Sequence, residues 1–404
     1  MRLNLALFLL TLSVQTFAAI PEYNPPELLA RANISDGYNL PEMSFLSNTS
    51  PVINSRGDVA FKLMAFGGEN NQGVWVKLAS EPAGKIVYTA PDMRFVTEPS
   101  LNDAGKVAFN LYDDGVTDGV FVLDTATNVV SHVLNPEDHD KNNDIAFYTY
   151  PQLLTNGKIY FRGTNQDNVR SFYQFDGKLK TVIAEGVTTF GQKSSYLFKP
   201  YMNDSGAMTF KRRIGEAGDW GEEKADEILL IKPAGNSFES IIVAKDKDSD
   251  PNSVFKGFAN SASLSRNGMV TFTAYLEDSS KAIILYKDGT SKNVAREQAD
   301  DISEIELFSP KVNEQGQVLF RAKNTEGKRG IYLADATGVK RVIGEGDLIM
   351  TDSGPAKILS NPNYPGFAGD VDMNDLGVIV FSCLIVGEHD NKELGSAIYT
   401  ITPK

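Results

Sequence analysis

The octapeptide Asn54-Ser55-Arg56-Gly57-Asp58-Val59-Ala60-Phe61 decides how this chain folds, because it does not occur only once. It returns as Asn102-Asp103-Ala104-Gly105-Lys106-Val107-Ala108-Phe109 and, more loosely, over 155–161, 203–210, 265–272, 313–320 and 374–381. The glycines stand at 57, 105, 157, 206, 268, 316 and 377, and phenylalanine follows each of them four places later. Pro51, Pro99, Pro151, Pro200 and Pro310 each lie six places before the glycine. Seven coincidences in register, at a mean period of about 53 residues, mark an array of structural repeats.

Each unit has a readable physical plan. A polar Asn/Asp-rich turn with a glycine able to take positive φ makes a hairpin, and the alternation of Val59, Phe61 and Leu63 continues it as a strand. A third strand is predicted after the next loop, as in Gly73–Lys77, 119–123, 228–231, 282–286 and 330–333, and a fourth at 85–88, 129–134, 181–184, 240–244 and 339–343. Four antiparallel strands per unit and seven units predict an all-β, seven-bladed β-propeller. The last unit stops after its third strand, 397–401, while Leu28-Leu29-Ala30-Arg31 before the first unit resembles the fourth strands. The chain start is therefore expected to close blade seven, so that no sheet edge is left unpaired there. The pattern resembles the bacterial tandem-repeat proteins named for an N-x-x-G-x-x-A-F motif, which implies a propeller and no particular activity.

Composition bounds the function. The 404 residues carry 39 Lys and Arg against 52 Asp and Glu, a formal charge of −13, and an acidic chain does not bind nucleic acid by phosphate neutralisation. Residues 1–18 read as a signal peptide: a basic start, an apolar run from Leu3 to Val14 and a small-residue cleavage site, too short for a membrane span. Residues 19–404 then form one propeller domain of a secreted or periplasmic protein, expected to be a monomer with no membrane span. Cys383 is the lone cysteine, so no internal disulfide forms.

Rare residue types on the loop-rich face are the candidates for chemistry. Arg212 stands two places after its repeat phenylalanine, where the other units carry Leu63, Leu111, Gly163, Ala274, Ala322 and Cys383. It reads either as a carboxylate clamp or as an arginine paired to Glu216 or Asp219. Tyr196 replaces the phenylalanines of other units (Phe95, Phe147, Phe258, Phe367) and leads into the same blade; it is a packing residue or a proton carrier. His139 in the loop 136–144 is either solvated or a proton carrier, with His132 in reserve. Cys383 and His389 are two candidate zinc ligands, the alternative being a buried thiol. The acidic loops at 138–142 and 246–250 lack the glycine and glutamate of a calcium loop.

Tyr196, Arg212 and His139 on adjacent loops look like the active site of the propeller polysaccharide lyases, in particular the ulvan lyases. The family's second active-site histidine has no counterpart here; Arg162 and Asn165 stand nearest. The resemblance implies β-elimination on a uronate of a sulfated, anionic polysaccharide, with Arg212 neutralising the carboxylate, Tyr196 as acid and base, and His139 sharing proton transfer. No cofactor is expected for the chemistry, and any zinc, at Cys383 and His389, would be structural. Because the acidic chain repels a polyanion over long range, binding one needs a local basic patch, expected around Lys193, Lys199, Lys211, Arg212 and Arg213. Trp220 reads as a sugar-stacking residue or a loop anchor. The rival reading is a non-catalytic propeller that binds glycan or protein.

Overall fold

The computed structural model describes residues 20–404 apart from 47–48, 68–70, 114–115, 136–144, 220, 222–224 and 363; the expected signal peptide, His139 and Trp220 lie outside the described residues. Seven antiparallel sheets form the expected propeller. In blade one Val52–Ile53, Val59–Leu63, Gly73–Lys77 and Lys85–Thr89 pair in that order from the channel outward. Blade three repeats it with Ile145–Leu153, Ile159–Asn165, Arg170–Phe175 and Leu179–Ala184. In blades two, four and six the inner strand breaks near the repeat proline, as between Gln192–Leu197 and Tyr201–Met202 in blade four, because proline offers no ladder donor; in blade three the strand runs on through Pro151 with a register shift. Among the described residues there is no α-helix, and no helix is long and apolar enough to cross a membrane.

Blade seven closes as expected. Its first three strands are Phe367–Met373, Ile379–Gly387 and Glu393–Ile401, and Glu27–Ala32 supplies the outer one, in register from Glu27↔Thr400 to Ala32↔Ser396. Lys404 N–H donates to the Glu22 carbonyl at 2.8 Å. The buried Arg31 fixes this clasp through Asp352, at 2.8 and 2.7 Å, and the Leu394 carbonyl at 2.9 Å.

Apolar side chains fill the spaces between blades rather than one central core. Separate clusters occupy each seam; the one between blades seven and one joins Val380 and Ile398 to Leu29, Phe61 and Trp75, and the next joins Ala60, Val74 and Val76 to Val107 and Phe109. Every repeat phenylalanine is buried at a seam, which is the physical reason the motif ends in Phe.

The other end of the motif ties the ring by hydrogen bonds. Asn54 Oδ1 accepts the N–H groups of Arg56 at 3.0 Å and Asp58 at 2.9 Å, while its Nδ2 donates to the Asn102 carbonyl of the next blade at 2.9 Å. Asn102 does the same toward Leu154 (3.1 Å), Asn203 toward Ser265 (2.9 Å), and Asn374 closes the circle on Asn54 (3.0 Å). The glycines complete these turns at φ between +75° and +89°, a region open to glycine. Asn102→Ala is expected to lower stability by about 1–3 kcal/mol, since it leaves buried backbone groups unpaired. Denaturant unfolding checks this; an unchanged midpoint would show that the belt contributes nothing.

Candidate functional site

Each second strand runs away from its glycine turn, so the loops between second and third strands and those between blades gather on the opposite face. The inner strands leave an axial cavity of about 280 Å³. The residue seven places before each repeat glycine forms its upper tier, with Ser50, Glu98, Tyr150, Lys199 and Asp370 in the wall. Gln152, Tyr201, Lys311 and Asp372 lie two residues further along, toward the turn face, and Ser55, Asp103, Asp204, Arg266 and Asp375 line its rim at the turns. Arg266 reaches across that rim to Asp103 (2.6 Å) and Asp375 (3.3 Å), and also donates to Ser55 Oγ. The turn end of the channel is barred by this contact.

The channel wall carries mixed charge. Lys199 Nζ lies 3.2 Å from Asp370, Lys62 Nζ 3.2 Å from Glu98, and Lys311 Nζ 3.8 Å from Asp372 and 4.4 Å from the Tyr201 ring centroid. Burial raises the Glu98 carboxyl against the opposing pull of Lys62, and raises Asp372 against Lys311. Burial also acts on Asp370, but Lys199 and Lys311 outweigh it and hold this carboxyl below its ordinary range.

A second recurrence shapes this face. The residue after the repeat phenylalanine reaches the next blade's inner strand: Arg162 Nη1 donates to the Leu197 carbonyl at 3.1 Å, Lys211 Nζ to Phe258 at 3.2 Å and Arg321 Nη1 to Gly369 at 2.7 Å. Arg162 lies over Tyr150 (4.9 Å), Lys211 over Phe198 (3.9 Å) and Arg321 over Phe308 (3.8 Å). Positive charge on these second strands is thus tied to the blade seams.

The structure revises the roles expected of several predicted residues. Tyr196 and Arg212 stand on paired inner and second strands, with Tyr196 opposite Arg213 and Leu197 opposite Arg212. The Arg212 guanidinium is 0% exposed; Nε and Nη2 donate to Glu227 Oε2 at 3.0 and 2.7 Å, and Nη1 to the Thr189 carbonyl at 3.2 Å. Its fork is filled by Glu227, not by Glu216 or Asp219, so the expected clamp for an external carboxylate is corrected to an internal pair. The expected basic patch is likewise compensated: Lys193 pairs with Glu216, Lys199 with Asp370, and Lys211 and Arg213 share Asp226. Burial depresses the Lys211 ammonium, with Asp226 opposing.

Tyr196 is half-buried, its ring 4.5 Å from Phe198 and 4.3 Å from the Arg170 guanidinium of blade three. His132, the reserve proton carrier, is exposed and stacks on Phe121 at 4.2 Å. Cys383 is fully buried in the blade-seven core, where burial raises its thiol, whereas His389 is 90% exposed beside Glu388. The strand that holds the thiol inward ends before the turn that puts the imidazole into solvent, so these two donors are not gathered. Among the described residues no three His, Cys, Asp or Glu side chains are grouped as a metal site.

The reading of the residues missed Tyr150 and Arg170, and named Arg162 only as standing nearest to the place of an absent histidine. Tyr150, 37% exposed, sits between Arg162 and the Lys199 ammonium, 5.5 Å from its ring centroid. Since Arg162 also bonds Leu197, beside Tyr196, one strip of two tyrosines and three cations runs from the channel mouth outward along the seam of blades three and four. The signal that would have found its inner end is positional: Tyr150 and Lys199 both directly precede a repeat proline.

Solved structures of the same architecture include the oligogalacturonate lyase of Vibrio parahaemolyticus, 8% identical over 95% of this chain and 98% of that one, with a TM-score of 0.55. An oligogalacturonate lyase in complex with manganese is 11% identical over 96% and 99%, TM-score 0.54. A puromycin-hydrolyzing peptidase of Mycobacterium tuberculosis is 10% identical over 86% of this chain and 52% of its own, TM-score 0.53. At such identities the likeness is one of fold. No curated protein matches the sequence. Residues 35–383 match one family profile, and the chain therefore belongs to the family of unknown function DUF7453.

Proposed function

We propose that the protein is a secreted polysaccharide lyase that cleaves a uronate-containing, ulvan-like polysaccharide by β-elimination on the loop face, at the seam of blades three and four. The observation that supports it most is the half-buried Tyr196 ring with the Arg170 guanidinium 4.3 Å from its centroid, next to a second tyrosine–arginine pair. In the reaction the proton on the carbon beside the uronate carboxylate passes to a base, that carbon's electron pair forms the ring double bond, and the glycosidic oxygen leaves and takes a proton. Tyr196 serves as base and then acid, and His139 shares the proton transfer. The nearby Arg170 guanidinium would stabilise the enolate-like charge on the carboxylate. Arg212 acts through Glu227, as a positioning residue that holds the second and third strands under Tyr196.

The two arginine roles separate in experiment. Tyr196→Phe is expected to abolish the rise in unsaturated-uronate absorbance on ulvan while thermal unfolding stays where it was; full activity in this variant would defeat the assignment. If the wild-type chain binds ulvan but yields no unsaturated product, the binding-module reading takes its place.

Arg212→Ala is expected to cost about 3–5 kcal/mol of stability, because it strands a buried carboxylate. Unfolding in urea measures this, and a double variant with Glu227→Leu should recover most of the loss. Stability unchanged in Arg212→Ala would mean the pair does not hold the strands.

A further inference from the structure

We infer that Tyr150, Arg162 and Lys199 form an anion-binding subsite at the channel mouth, which takes the charged group of an acidic sugar. The inference rests on the uronate-glycan reading above and adds to it a second recognition point, inward of Tyr196.

Two independent observations point there. The first is charge. Every other described arginine stands within ion-pair reach of a carboxylate, from Arg31 with Asp352 to Arg341 with Asp347. Arg162 alone among them has none: Nε donates to Thr149 Oγ1 at 3.3 Å and Nη1 to the Leu197 carbonyl at 3.1 Å, and the side chain is half-buried against Tyr150. The nearest carboxylate that acts on it, buried Glu185, is taken up by the Leu197 and Arg170 backbone N–H groups, and a partly desolvated guanidinium with no carboxylate in contact favours an anion from outside.

The second observation is backbone geometry. Tyr150 has φ +55°, inside a strand whose register shifts between Thr149 and Gln152. None of the six equivalent residues in the other blades (Ser50, Glu98, Lys199, Ser261, Ser309, Asp370) takes positive φ. An aromatic residue directly before a proline is disfavoured there. What this conformation achieves is to hold the phenol at the mouth, exposed, between Arg162 and Lys199. Tyr150 and Lys199 line the opening, Lys199 shared with Asp370 at 3.2 Å, and Arg162 lies over the Tyr150 ring beside it; together they are a set of donors suited to a sugar carboxylate or sulfate ester.

The test uses calorimetric titration of the whole chain and its Tyr150→Gly and Arg162→Gln variants with oligoglucuronate, a sulfated dextran oligomer and a neutral cello-oligosaccharide. Glycine accepts positive φ without a side-chain penalty, so Tyr150→Gly should keep or raise the unfolding temperature. Loss of the ring and hydroxyl should weaken oligoglucuronate binding about tenfold, and Arg162→Gln should weaken it at least as much, with the neutral oligosaccharide not bound by any form. Preference for the sulfated oligomer with the same losses would identify a sulfate ester as the group taken. Equal anion binding in wild type and both variants, or binding of neither anion, overturns the subsite. Anion binding lost in the variants without any unsaturated product overturns elimination and leaves the subsite standing. Elimination with KM unchanged in Tyr150→Gly does the reverse.

Discussion

The asparagine amide of the repeat turn is the contact on which the ring depends. In blades one, two, four and seven its oxygen accepts two N–H groups of its own turn and its nitrogen donates to the neighbouring blade, so one side chain both shapes a hairpin and sets the distance to the next; in blade six Asn313 Nδ2 instead donates within its own turn, to Gln317 at 2.8 Å. A buried backbone group left unpaired is costly, which makes the turn and the seam mutually dependent. Where the motif drifts, the bond is kept by other means: in blade five, Ser265 stands at the asparagine position and Asn267, two residues on, donates to Glu314. In blade three Leu154 cannot donate at all, and Asp204 of blade four instead accepts from the Thr155 amide and hydroxyl, at 3.0 and 2.9 Å. That seam, with its altered fastening at the turns, carries the tyrosine–arginine strip on its opposite face.

The fold was legible because repetition exposes it. Seven turns in register state the blade number, and the missing fourth strand, found again at Leu28–Arg31, states how the ring closes. The site was legible only in part. Tyr196 stands out against phenylalanines of other blades and does lie on the loop face. Arg212 stands out in the same way, yet the comparison between blades gives no view of its own cross-strand neighbour, and Glu227, directly opposite it in register, lies beyond a long loop in sequence. An unusual residue at a core position must bring its own partner, and the pair reads in sequence as a lone arginine.

Tyr150 went unnoticed, and Arg162 was given no role of its own, for the opposite reason. Arg162 fits a pattern, since Lys62, Lys211 and Arg321 hold the same position, and nothing in the chain marks it as the member without a carboxylate. Tyr150 occupies the place before a repeat proline, a tier whose meaning depends on knowing that the inner strands bend into the channel there. Absence of a partner and sign of φ are properties of the folded chain alone.

Charge balance narrows how an acidic ligand approaches. With a formal charge of −13, long-range attraction does not draw a polyanion to this protein, and ionic strength must screen the repulsion before contact. Specificity then falls to short-range groups, and most of the cations on the loop face are already neutralised by pairing. The turn side offers no passage, since Arg266 bars the channel between Asp103 and Asp375, and four acidic residues, Asp103, Asp204, Glu314 and Asp375, follow the repeat asparagine or its equivalent on that side. A ligand bearing negative charge therefore meets unfavourable ground on one face and, among the described arginines, one guanidinium with no carboxylate in contact on the other. On the proposed reading, the asymmetry of the ring, more than its total charge, would direct an anion to the seam of blades three and four.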